Sequence, residues 1–255
     1  METISEKEEG GVLARRFDME VDSDVVPGMH WTPADAAGTY PTVCIGHGGF
    51  QHKLYGNVPE LAMQLVQNLG VGVVALDAPG HGDRIEDQEA AARARDEAVA
   101  NAGRGRSMDP EARKAYAKRS QQHVDEWVVL LDHLQEDERW AAGPFGWWGV
   151  SMGTTHGLPL AAQDARISAA VFGLNALAPQ NTRMREQAES LTIPILFLIQ
   201  RDDELMTIET ALALWDAFGS EEKTMHVNPG GHVQVPRFER DSSEAFFRRH
   251  LLPKG

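Results

Sequence analysis

Short runs, several of them wholly apolar, alternate along this chain with longer stretches in which apolar residues recur every three or four positions. The short runs predict strands at 12–21, 26–31, 42–45, 72–76, 145–150, 167–174, 193–199 and 223–227. Residues 72–76 read Gly-Val-Val-Ala-Leu, the uninterrupted apolar pattern of a strand covered on both faces. Helical spacing appears at 59–69, where Leu61, Leu65, Val66 and Leu69 share a stripe that stops at Gly70. Further helices are predicted at 124–134, 208–218 and 242–252, and another opens after Ser151. Strands alternating with helices imply an α/β fold, a mostly parallel doubly wound sheet with helices on both faces.

Two stretches fall outside the alternation. Residues 1–11, METISEKEEGG, lack the basic start and apolar core of a signal peptide and read as a polar, partly disordered leader. Residues 84–122 are polar and rich in Ala, Arg and Glu, which predicts helices broken around residues 103–108. They follow a turn at the sheet's C-terminal edge, where active sites collect, so the expectation is an insertion forming a small helical cap. The whole chain, 1–255, reads as one domain carrying that insertion.

Composition changes this picture little. Hydrophobic residues are 42% and charged residues 24%, ordinary for a globular protein. The apolar runs are strand-sized, so no membrane association is expected. The one cysteine, Cys44, sits in an apolar run, cannot form an internal disulfide and reads as a small core hydrophobe. Without an export signal, the expected compartment is the cytoplasm. A net charge of −14 argues against a nucleic-acid partner. His-Glu-x-x-His and a phosphate-binding glycine loop are both absent from the sequence, so neither a metal nor a cofactor is implied. Nothing in the chain speaks to oligomeric state.

The chemistry concentrates in four places. Gly149-Val150-Ser151-Met152-Gly153 lies between a predicted strand and a predicted helix. A bare G-x-S-x-G is common by chance; at a strand–helix junction it is the sharp turn that presents a serine as nucleophile. Serine needs a base, and His232 follows Asn228-Pro229-Gly230-Gly231 on a glycine-rich loop after the last strand. The base needs an orienting acid, and Asp202, Asp203 and Glu204 compete after the strand at 193–199. Finally, Gly46-His47-Gly48-Gly49-Phe50 follows the strand at 42–45. An acyl-transfer intermediate needs two amide donors, here expected from Met152 and from Gly49 or Phe50.

Taken together, the His47-Gly48-Gly49 loop, the Asp77-x-x-Gly80-x-Gly82 turn, the Ser151 elbow, the acidic loop and Gly231-His232 resemble the α/β-hydrolase superfamily. The likeness runs from about Thr42 to His232 and leans toward the small esterases and dienelactone-hydrolase-like members. It implies the chain order nucleophile, acid, histidine, and places the acid at Asp203, three residues after position 200. Gln200 stands where that family often has glycine, which keeps Asp202 as an alternative. Dienelactone hydrolase proper uses cysteine; serine at 151 points away from its substrate. The implied activity is hydrolysis of a small-molecule carboxylic ester through an acyl-enzyme. An acyltransferase, thioesterase, amidase, perhydrolase or C–C hydrolase is the alternative, and a non-catalytic binding protein on the same fold a further one. Asp77 and His81 read as structural, Trp147 and Trp148 as core, and Arg93, Arg95, Arg104, Arg106 and Arg113 as a solvated helical face.

Overall fold

The computed structural model describes residues 1–35, 39–101, 110–136 and 143–252. Among these residues nine strands form one sheet: β1 (Glu2–Glu9), β2 (Val12–Val21), β3 (Asp24–Pro33), β4 (Thr42–Gly46), β5 (Gly72–Leu76), β6 (Phe145–Val150), β7 (Ile167–Gly173), β8 (Ile195–Gln200) and β9 (Lys223–Asn228). Their order across the sheet is β1-β2-β3-β5-β4-β6-β7-β8-β9. The first three and the β3–β5 pair run antiparallel; from β5 to β9 every pairing is parallel. The doubly wound α/β expectation holds.

Among the described residues there are seven helices: α1 (Asn57–Leu69), α2 (Gln88–Asn101), α3 (Pro110–Glu136), α4 (Met152–Gln163), α5 (Thr182–Ser190), α6 (Ile208–Ala217) and α7 (Glu239–His250). Alternate strand residues feed two cores. Cys44, Trp147, Phe172 and Phe197 pack with Trp127 and Leu130 of α3, Leu158 of α4 and Leu214 of α6. Val43, Ile45, Trp148, Val171 and Leu198 pack on the other face with Leu61 and Leu65 of α1 and Phe247 of α7. Both tryptophans of β6 are therefore core, as expected.

The structure corrects two readings. Residues 2–9 form β1, an edge strand hydrogen-bonded to β2, rather than a disordered leader. Every β1 side chain is exposed, so the strand has no apolar signature; it is held by its backbone ladder. Gly10 and Gly11, at φ 59° and 76°, turn the chain back into β2 with a conformation that glycine adopts freely. Second, the helix expected at 124–134 begins at Pro110 and is continuous with the second half of the 84–122 stretch. Neither proline nor glycine follows Pro110 before residue 137, so nothing interrupts it. The break expected at residues 103–108 lies outside the described residues. Helix α5, not foreseen from the sequence, buries only Ala188 and starts from an Asn181 side-chain cap.

The topology sets the site. Gly46 is in register with Gly149, so the loop after β4 and the turn after β6 leave the sheet side by side. The loops after β8 and β9 emerge from the same edge beyond β7.

Candidate active site

Ser151 sits at φ 57° and ψ −118°, a conformation that L-residues rarely adopt, between β6 and α4. Several contacts hold it there. Its amide donates to Gly173 O at 2.8 Å. The buried Thr154 hydroxyl lies 2.8 Å from Gly149 O and accepts from the Gly173 amide at 2.9 Å. Asn175 donates to Ser151 O at 3.0 Å. Gly153 is required by proximity: a Cβ there would sit 2.3 Å from Gly46 O.

Ser151 Oγ lies 2.9 Å from His232 Nε2, and His232 Nδ1 lies 2.7 Å from Asp203 Oδ2. A carboxylate only accepts, so Nδ1 carries the proton toward Asp203 and Nε2 is free to accept from the serine hydroxyl. The side chains of His232 and Asp203 are 9% and 3% exposed, which keeps water from competing for either contact.

The three acids of the β8 loop are thereby separated by what each touches. Asp203 faces His232 and also accepts from the Leu205 amide at 2.8 Å. Asp202 accepts from the Gly230 amide at 2.9 Å, and Glu204 from the His232 amide at 2.9 Å. All three fasten the two loops together, but only Asp203 reaches the imidazole. Gln200 is buried, with its side-chain amide reaching toward the carbonyls of Pro229 and Gly231 at 3.4 and 3.3 Å. That position, read as a departure from the family pattern, supports the floor of the histidine loop.

On the other side stands the 46–50 loop. His47 is buried, donates from Nδ1 to Gly48 O at 2.8 Å and accepts the Ala78 amide on Nε2 at 3.1 Å. Burial pulls its pKa down to about 4, so the ring is a neutral strut between two loops. Phe50 follows at φ 59°. Met152 opens α4, so its amide has no acceptor within the helix. Lys53, missed in the sequence, is 2% exposed and bridges Asp77 at 2.6 Å and Asp83 at 2.7 Å. Asp77 also accepts from the amides of Lys53 and Asp83, so its carboxylate is fully engaged in holding the turn. A lone lysine in a polar loop carries no sequence signal of burial; Asp77 was the available clue.

Beside Met152 and Phe50 opens a cavity of about 370 Å³, walled by Ala91 and Ala94 of α2 and by Tyr116, Arg119 and Ser120 of α3. A second space of about 280 Å³ lies against Thr155, Leu158 and Asn175, and shares Tyr116 and Ser120. Helix α3 is fixed over the sheet by a buried network. Arg84 donates two bonds of 2.8 Å to Glu126, His123 Nδ1 lies 2.9 Å from Glu126, and Trp127 donates to His123 Nε2 at 3.0 Å. Burial pulls His81 below its ordinary pKa, and His123 and His156 well below it. Among the described residues no group of three or more His, Cys, Asp or Glu could hold a metal ion, and no helix is long and apolar enough to cross a membrane.

No protein-family model matches the chain, and no curated protein matches it. Solved structures do. A cold-adapted esterase from an Arctic intertidal metagenomic library, in a polyethylene-glycol-bound complex, is 30% identical over 99% of this chain and 100% of its own, with a TM-score of 0.80. An acetyl xylan esterase from Paenibacillus sp. R4 shares the fold at 16% identity, over 98% of this chain and 87% of its own, TM-score 0.71. An S-formylglutathione hydrolase from Agrobacterium tumefaciens does so at 16% identity, over 99% and 100%, TM-score 0.67.

Proposed function

Since the chain belongs to the α/β-hydrolase superfamily, we propose that it hydrolyses carboxylic esters through an acyl-enzyme formed on Ser151. One observation carries this reading: the unbroken chain of contacts from Ser151 Oγ through His232 to Asp203, at 2.9 and 2.7 Å. His232 Nε2 takes the serine proton as Oγ attacks the ester carbonyl, then gives it to the departing alcohol. It next removes a proton from the water that releases the acid. Asp203 keeps Nδ1 protonated and stabilises the imidazolium formed in each half of the cycle. The oxyanion rests on the Met152 amide and on that of Gly49 or Phe50, donors that the backbone holds in place before charge develops.

Helix α2 and the N-terminal half of α3 act as a cap over the site, in this reading. They wall the cavity beside Met152, which favours small and medium esters over long-chain lipids. The deciding experiment is p-nitrophenyl ester hydrolysis by wild type and Ser151→Ala. Loss of the nucleophile lowers kcat by about 10⁴- to 10⁶-fold. A variant that keeps a tenth of the activity rules Ser151 out.

A further inference from the structure

The chain holds 38 acidic and 24 basic residues, yet among the described residues no Asp or Glu lines the cavity beside Met152 and Phe50. Among the described residues, its one charged wall residue is Arg119. Other arginines of the molecule are tied up by carboxylates: Arg84 by Glu126, Arg16 by Asp83, Arg166 by Asp164. Among the described residues, no carboxylate pairs with Arg119. Ser120, its neighbour on α3, also borders the cavity, and its hydroxyl is buried and lacks a hydrogen-bond partner. Tyr116, one helical turn earlier, adds a phenol to that wall. His81 contributes no positive charge at neutral pH. Burial lowers its pKa, the Arg119 charge adds to that shift, and Nδ1 is spent on Pro79 O at 3.1 Å.

An acid-rich protein that leaves a guanidinium unpaired beside a hydroxyl with no partner, in a cavity that no described carboxylate lines, has an anion-accepting wall. We propose that the substrate is an ester carrying a carboxylate away from the scissile bond, selected by Arg119 with Ser120 beside it. This rests on the ester-hydrolase reading above and names its substrate class.

Two matched pairs test it. The anion lies on the acyl side in mono-p-nitrophenyl glutarate, whose neutral counterpart is its methyl ester. It lies on the alcohol side in 4-acetoxybenzoate, whose neutral counterpart is again the methyl ester. In at least one pair wild type favours the anion by about tenfold in kcat/KM, chiefly through KM. The preference collapses toward parity in Arg119→Gln and shrinks in 0.5 M NaCl (about 4 Å Debye length). Arg119 is exposed and glutamine is a good helix former, so the variant folds, which circular dichroism verifies. Parity in both pairs, or a preference that Arg119→Gln leaves intact, overturns the inference while the hydrolase reading stands. If wild type cleaves none of the esters, or Ser151→Ala cleaves them equally well, both are overturned.

Discussion

Replacing Asp203 by Asn separates the orienting acid from its two acidic neighbours. In the native loop the Asp203 carboxylate, 3% exposed, accepts the Nδ1 proton of His232 at 2.7 Å. An asparagine amide there can turn its NH₂ to the ring, which moves the imidazole proton to Nε2 and removes the acceptor for Ser151. The oriented tautomer and the stabilised imidazolium are lost together. The expected fall in kcat is about 10⁴, or about 5.5 kcal/mol of transition-state stabilisation. The fold should be kept, because the asparagine oxygen still accepts from the Leu205 amide. Asp202→Asn and Glu204→Gln each keep an oxygen for the Gly230 and His232 amides and should change kcat by less than about tenfold. Burst kinetics with p-nitrophenyl acetate, alongside circular dichroism, measure all three. If Asp203→Asn stays within tenfold of wild type while either neighbour's variant collapses, the assignment of the acid is wrong.

Other perturbations test other parts of the account. Ser151→Gly should melt at or above Ser151→Ala, because the left-handed backbone at 151 strains any side chain by about 1–3 kcal/mol; a clearly less stable glycine variant contradicts that strain. Gly153→Ala drives a Cβ to 2.3 Å from Gly46 O, and a loss of about 2–4 kcal/mol should appear as a melting temperature lower by roughly 5–15 °C. Lys53→Met strands the buried Asp77 carboxylate and should destabilise by about 3–5 kcal/mol, read by urea denaturation. His30 and His47 have folded-state pKa values pulled down to about 3 and about 4 by burial, so the unfolded chain takes up their protons first as pH falls. Stability from these two groups is intact above about pH 6.5 and declines below it, by about 1.4 kcal/mol per pH unit each, until their folded values are reached. A melting temperature unchanged between pH 7 and 5 contradicts this.

The centre of the sheet was legible because β4, β5, β6, β7 and β8 are buried on both faces and are therefore almost wholly apolar; β5 and β6 match their expected bounds. The elements that escaped are those whose side chains report nothing. β1 is exposed along its length and held by backbone bonds, and α5 buries a single alanine. The seam between the polar stretch and α3 was misplaced because hydrophobic spacing marks where a helix is covered, not where it begins. In the site, Ser151 and His232 stand out by their glycine-flanked loops, whereas the residues alone leave Asp202, Asp203 and Glu204 in competition; the resemblance favours Asp203, and with β8 and β9 side by side its carboxylate meets the imidazole. Lys53 and Thr154 were invisible for the same reason: their partners are set by tertiary contact across 24 and 19 residues.

The central claim is that Ser151 is the nucleophile of this molecule. Treatment with a fluorophosphonate, followed by peptide mass spectrometry, tests it most directly. The account predicts one phosphonyl group per chain, carried on Ser151, with complete loss of esterase activity and no labelling of His232→Ala. A label on another residue, or full inactivation with Ser151 unmodified, would contradict it.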